Sequence, residues 1–252
     1  MRRSAIVLSL CLGLGLVSVP KSEAASMRVS PIGVDIVSDK RAGVITLTNT
    51  DTEEVSLQVR VFRWTQVNGE DKLEPAVDVF ASPPNMKVAP GAAYTIRIAR
   101  LDARPVGGES AYRMIIDELP KPQLPGAVAK GVKMLLRTSV PIFVVDRDAI
   151  TDLTWSITKT PTGLEVHVDN KGGRHVKLSG VQLTRPGGQT IDLGTKLGGY
   201  VLARSERSFA ISLEDKALAS ALADGELLTI TAKGNSADIK GTARVSMPNK
   251  AQ

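Results

Sequence analysis

The stretch GVKMLLRTSVPIF, Gly131 to Phe143, decides how the rest of the chain is read. Val132, Met134, Leu136, Val140 and Ile142 fall on one side of a two-residue alternation, with Thr138 between them. Lys133, Leu135, Arg137, Ser139 and Pro141 fall on the other. Only a strand sorts residues this way, because successive side chains of an extended chain point to opposite faces. At about 3.3 Å per residue the strand spans on the order of 40 Å, roughly twice the usual length. Two readings follow. Either it is a long central strand capped at both ends by its own domain, or it outruns its sheet and offers an apolar face to something else.

The sequence before it reads as a series of strands. Met27 to Val37 is the first, with Pro31 confined to an edge or bulge because it cannot donate to a ladder. Val44 to Asn49 alternates, as does Val55 to Trp64, where Val55, Leu57, Val59 and Val61 oppose Gln58 and Arg60. Asn68-Gly69, Pro83-Pro84 and Pro90-Gly91 punctuate the chain before Tyr94, Ile96 and Ile98 and then Tyr112 to Pro120. After Phe143 the period stops near Val144 to Asp148, which places a domain boundary there. A second strand series follows, including Leu164, Val166 and Val168, with turns at Lys171 to Gly173 and Pro186 to Gly188. Ser212 to Asp224 alone has helix-like spacing. Short strands at regular spacing predict an all-β chain of antiparallel sandwiches.

Composition sets the compartment. Arg2 and Arg3, the apolar run Ala5 to Val19 and Ser22-Glu23-Ala24 form a secretory signal, residues 1–24, with cleavage expected after Ala24. The run is shorter than the roughly 18 residues of a membrane span, so no insertion is expected after cleavage. The single cysteine, Cys11, lies inside the signal, leaving the exported chain without disulfides or thiolate chemistry. Arg2, Arg3, Lys21 and Glu23 take a net +2 of the formal +6 with them, leaving +4. Lys and Arg alternate with carboxylates, and no basic run of the kind that binds nucleic acid is present. The expected division is 25–146 for a first sandwich carrying the long strand and 147–252 for a second.

Several strings together resemble the PapD-like periplasmic chaperones of pilus assembly. They are Pro83-Pro84, Pro90-Gly91 with Ile96-Arg97-Ile98, Tyr112-Arg113 with Glu118-Leu119-Pro120, and Arg137-x-Ser139-x-Pro141-Ile142-Phe143. Trp64 after VRVFR and the wording RTSVPIF are most similar to the archaic branch serving spore-coat-U-type fimbriae. The resemblance implies two immunoglobulin-like sandwiches arranged at an angle around a cleft, in a periplasmic protein. It implies that the last strand of the first sandwich is lent to a pilin subunit lacking a strand, before delivery to an outer-membrane usher. Val132, Met134, Leu136, Thr138 and Val140 are then the subunit-binding positions. A second copy of the free protein is a further candidate partner for the same strand.

The family grips the subunit's C-terminal carboxylate with an Arg on the first strand and a Lys on the donor strand, and Gly33 and Pro141 stand at those positions here. Arg137, on the same face as Pro141, becomes the candidate anchor, with Arg28 as a helper and Glu118 as a competing acidic neighbour. An interdomain Arg implied just after the motif is Val145, although Glu109 matches its acidic partner.

Catalytic readings find little. His167 and His175 flank a Gly-Gly turn, but alternation turns His167 outward with Glu165 and Asp169, and no further ligand is suggested, so neither metal nor cofactor is expected. Asp117-Glu118 and Glu53-Glu54 are adjacent on strands and point to opposite faces, which excludes a glycosidase pair. No enzyme is expected. The competing reading is an exported structural or adhesive sandwich, a pilin or surface module. A pilin would be one domain whose alternating apolar segment is N-terminal, whereas here that segment is internal. Trp64 and Trp155 sit within alternating patterns and read as core or edge residues rather than a sugar platform.

Overall fold

The computed structural model describes residues 27–120, 134–194, 198–212, 222–235 and 237–247. The export signal, Val132 and most of the helix-like segment 212–224 lie outside the described residues. Among the described residues, no helix is long and apolar enough to cross a membrane.

The chain is all-β and forms two sandwiches in tandem. In the first, one sheet runs in the order β1 (Met27–Ser30), β3 (Ala42–Asn49), β8 (Ala93–Arg100), β6 (Val79–Ser82). The facing sheet runs β2 (Val34–Val37), β10 (Arg137–Val145), β9 (Glu109–Leu119), β4 (Val55–Val67), β5 (Glu70–Pro75), with β7 (Asn85–Val88) also paired to β4. The alternation read in β4 holds: Val55, Leu57 and Val59 are buried and enter the core between the sheets with Ile45, Leu47, Ile96, Ile98, Met114 and Ile116. Each such side chain contributes about 1.5–3 kcal/mol by leaving water.

The second sandwich follows one hydrogen-bonded path through β14 (Thr190–Asp192), β13 (Val176–Thr184), β17 (Leu227–Lys233), β18 (Asp238–Ser246), β11 (Leu153–Thr160), β12 (Gly163–Asn170) and β16 (Ser205–Ser212). A short β15 (Gly199–Val201) pairs with β13. Its core gathers Ile157, Leu164, Val166, Val168, Leu183 and Ile230, again from alternate positions, together with Trp155.

Two strand expectations need correction. The first strand is two: β1 pairs antiparallel with β3, and past Pro31 the chain crosses to the other sheet, where β2 pairs parallel with β10. The long strand of 131–143 is shorter and later than its alternation implies, running from Arg137 to Val145. Its pairing with β9 ends at Arg137–Asp117, two residues before β9 itself stops at Leu119 ahead of Pro120. Trp64 lies in the core of neither sandwich. It is buried all the same: its even-numbered position puts it on the outer face of the first, where it packs with Ala111 and Phe143 beneath Leu202 of the second sandwich.

Candidate functional site

The distinctive local feature is the outer edge of β10. Along a strand, the N–H and C=O of one residue point to the same edge, and those of the next point to the other. The Leu136 carbonyl accepts from the Glu118 N–H on β9, and the Val145 carbonyl accepts from the Ser38 N–H on the opposite side. Even-numbered residues of β10 therefore bond to β9, and odd-numbered residues face away from it. The far side is covered by β2 only from Ile142 to Val145. Among the described residues, no strand pairs with that edge from Arg137 to Val140. The backbone groups of Arg137 and Ser139 face an open lane about 13 Å long, closed at its far end where the Pro141 carbonyl meets the N–H of Val34 on β2.

The side chains along β10 divide at Val140. Val140 is 2% exposed and packs with Ile142 and Val144 in the first sandwich's own core. It is therefore not an open donor position, because the facing sheet already covers it. Leu136 packs at the lip of the same core, half-buried, and Thr138 is also half-buried. Met134 is 87% exposed, with Leu135 beside it also exposed. The apolar face thus runs out of the sandwich towards its N-terminal end.

The odd-numbered face of β10 belongs to the outer surface that the second sandwich partly covers. Arg137 lies there, and its Nε donates to Asp117 Oδ1. Arg60 Nη2 donates to the other carboxylate oxygen at 2.7 Å. The competing acid is thus Asp117, directly opposite in the ladder, rather than Glu118. Burial raises the Asp117 carboxyl's pKa, but the hydrogen bonds from Arg137 and Arg60 outweigh it and hold the value below the ordinary carboxylate range. Arg28 lies on β1 in the other sheet, and the structure does not bring it to Arg137.

Gly33 and Pro141 are neighbours: a Cβ on Gly33 would sit 3.4 Å from Pro141 Cγ. Directly across the ladder from Pro141 is Arg113 on β9. Its guanidinium lies 3.7 Å over the Trp64 ring and 5.3 Å from that of Tyr200. Burial lowers its pKa, while Tyr200 and Asp71 raise it. Among the described residues, no carboxylate lies within ion-pair distance of Arg113. Sequence reasoning passed over it. Its odd parity, shared with the outer-facing residues opposite Pro141, was the available signal.

At the junction of the sandwiches, Glu109 meets His175, with Oε2 and Nδ1 2.6 Å apart and the two side chains 1% and 2% exposed. The backbone N–H of His175 donates to the other oxygen of Glu109 at 3.2 Å. Phe143 stacks on the imidazole at 3.5 Å between centroids. Glu109 therefore finds its interdomain partner in a histidine from the second sandwich. Arg174 adds a contact to Asp35 at 3.3 Å. His167 lies elsewhere, against Ser208 and Glu206, so the two histidines do not converge. Among the described residues, no group of three His, Cys, Asp or Glu side chains could hold a metal ion.

Residues 26–146 match the family of pili and flagellar-assembly chaperones, PapD N-terminal domain. The fold matches a chain of the CsuC–CsuE chaperone–tip adhesion subunit pre-assembly complex, from archaic chaperone-usher Csu pili of Acinetobacter baumannii. The TM-score is 0.63 and the identity 23%, over 88% of this chain and 99% of that one. The Pseudomonas aeruginosa CupB2 chaperone aligns at TM-score 0.54 and 19% identity, over 85% and 98% of the two chains. The E. coli chaperone DraB aligns at 0.57 and 13%, over 88% and 97%. At these identities the likeness is one of fold. No curated protein matches the chain in sequence.

Proposed function

Since this chain belongs to the PapD-like pilus-assembly chaperones through residues 26–146, we propose that it binds pilin subunits in the periplasm and lends them the open edge of β10 before delivery to an outer-membrane usher. The observation that carries the reading is the lane from Arg137 to Val140, unpaired among the described residues and continuous with the exposed Met134. An open strand edge flanked by apolar side chains is a template for another chain. A subunit lacking a strand has the complementary need, and β-augmentation satisfies both backbones. Met134, Leu136 and Thr138 supply the side chains, with Val132 preceding them in the same alternation. Val140 anchors the strand in its own core. The same edge is available to a second copy when no subunit is bound.

The subunit's terminal carboxylate is received at Arg113. Arg137 already shares Asp117 with Arg60, whereas Arg113 is half-buried beside Pro141 and has no carboxylate partner among the described residues. A guanidinium held over an aromatic ring still has N–H groups to offer a carboxylate.

The test is Met134→Glu. Because this side chain is 87% exposed, the free protein should keep its circular dichroism and unfolding midpoint. Capture of a coexpressed pilin-type subunit should be lost, because the charge would enter an apolar groove unpaired. A Met134→Glu protein that still copurifies with the subunit would overturn the reading.

A further inference from the structure

The network that joins the two sandwiches contains an assignment that hydrogen-bond geometry alone decides. The Oδ1 of Asn235 lies 2.6 Å from the backbone N of Lys177. A backbone N–H can only donate, so the atom facing it is the amide oxygen and the Asn235 NH₂ group is turned the other way. That group lies 2.6 Å from Nε2 of His175. Nε2 must therefore accept, and it carries no proton. The other ring nitrogen, Nδ1, faces the Glu109 carboxylate and donates to it. We infer that Asn235 is a positioning residue: it holds His175 as the neutral Nδ1–H tautomer and so fixes how the second sandwich sits against the donor strand.

The consequence reaches β10 through the ring. Phe143 of β10 stacks on the imidazole, with ring planes 12° apart. Its neighbours Trp64 and Tyr200 complete the cluster, with ring centroids 6.0 Å and 5.7 Å from that of Phe143. A fixed tautomer gives one ring orientation, in which the Nδ1–H and the His175 backbone N–H each reach one oxygen of Glu109. The orientation of an imidazole is set by the partner of its other nitrogen, which here is Asn235.

The ionisable groups around the imidazole are few. Glu109 on β9 faces Nδ1, and the Tyr200 ring on β15 lies 5.6 Å away. Burial raises the Tyr200 pKa, which keeps the phenol neutral. Of the neighbouring cations, Arg174 is engaged by Asp35 and Arg204 by the Gly107 carbonyl, while Lys177 lies over the Tyr200 ring. Asp238 and Lys240 line the hollow beside His175. A proton added to Nε2 would point at the Asn235 NH₂ group, donor against donor. Relieving that clash requires the amide to turn and give up its bond from Lys177.

Histidine ¹⁵N resonances of the full-length protein test this, with His167→Gln separating the only other histidine. At about pH 7.5, where a free imidazole is mostly neutral, wild type should show Nδ1 protonated and Nε2 unprotonated as a single tautomer. Asn235 is exposed, so its replacement should leave both sandwiches folded. In Asn235→Asp, an acceptor-only partner should move Nε2 to the protonated position at the same pH. In Asn235→Leu, Glu109 still holds the proton on Nδ1 but nothing opposes one on Nε2, so Nε2 should become partly protonated at the same pH, and residual dipolar couplings should show the two sandwiches reorienting more widely. Asn235→Gln, which keeps the amide, should restore part of the wild-type signature. A wild-type His175 with Nε2 protonated, or an Asn235→Leu protein with Nε2 as unprotonated as in wild type and unchanged domain orientation, would overturn the inference.

Discussion

Replacing Arg113 and Arg137 by alanine, one at a time, separates two sites for the subunit's carboxylate that lie on the same face. Arg137 is 69% exposed, and its partner Asp117 keeps Arg60 at 2.7 Å when Arg137 is removed. Exposed pairs contribute about 0–1 kcal/mol, so Arg137→Ala should change the unfolding free energy by less than about 1 kcal/mol. Arg113 loses more in the free protein, since its guanidinium sits 3.7 Å over Trp64. That stacking contributes about 1–2 kcal/mol, partly offset because a desolvated cation without a carboxylate partner is removed.

Subunit capture should order the two variants more sharply. A bound carboxylate deprived of its cation costs about 2–5 kcal/mol, so Arg113→Ala should raise Kd between about thirtyfold and a few thousandfold. Arg113→Lys should recover only part of this because Lys lacks the planar fork. Urea unfolding of the free protein and titration calorimetry with a purified subunit would measure both quantities. If Arg137→Ala weakens capture as strongly as Arg113→Ala at low and raised salt, the carboxylate is held at the rim by Arg137 and the argument from the missing carboxylate partner fails.

Two further outcomes follow from titratable groups. Asp117 has its carboxyl lowered by Arg137 and Arg60, so its stabilising contribution is present above the ordinary carboxylate range and is lost as pH falls below about 4; urea unfolding against pH should show a shallower acid decline for Asp117→Asn than for wild type. Tyr112 has its pKa pushed up to about 12 by burial and by its hydrogen bond to Asp78, so phenolate absorbance of the folded protein should show a tyrosine ionising only near pH 12, and stability should fall as pH rises from about 10 to about 12, where the unfolded chain ionises first.

The period-two alternation of residues such as Val55, Leu57 and Val59, or Leu164, Val166 and Val168, was enough to read strands, sandwiches and the two cores. Burial on one face of a sheet imposes that pattern locally, and it needs no knowledge of what lies opposite. The same pattern misplaced the long strand, because alternation fixes which face a residue takes but not where a ladder stops, and β10 leaves its pairing with β9 at Arg137, opposite Asp117. Alternation could say that Val140 and Met134 share a face, but not that the facing sheet covers one and leaves the other in water. Nor could it say which cation already has a partner. Arg137 and Asp117 meet across strands 20 residues apart, and Arg113 is set over Trp64 by a register 49 residues long. The junction was hidden most completely, since His175 and Glu109 carry no periodic signal. Their meeting depends on how one sandwich rests on the other, and only the packing of Phe143, Trp64 and Tyr200 between the two brings that imidazole to that carboxylate.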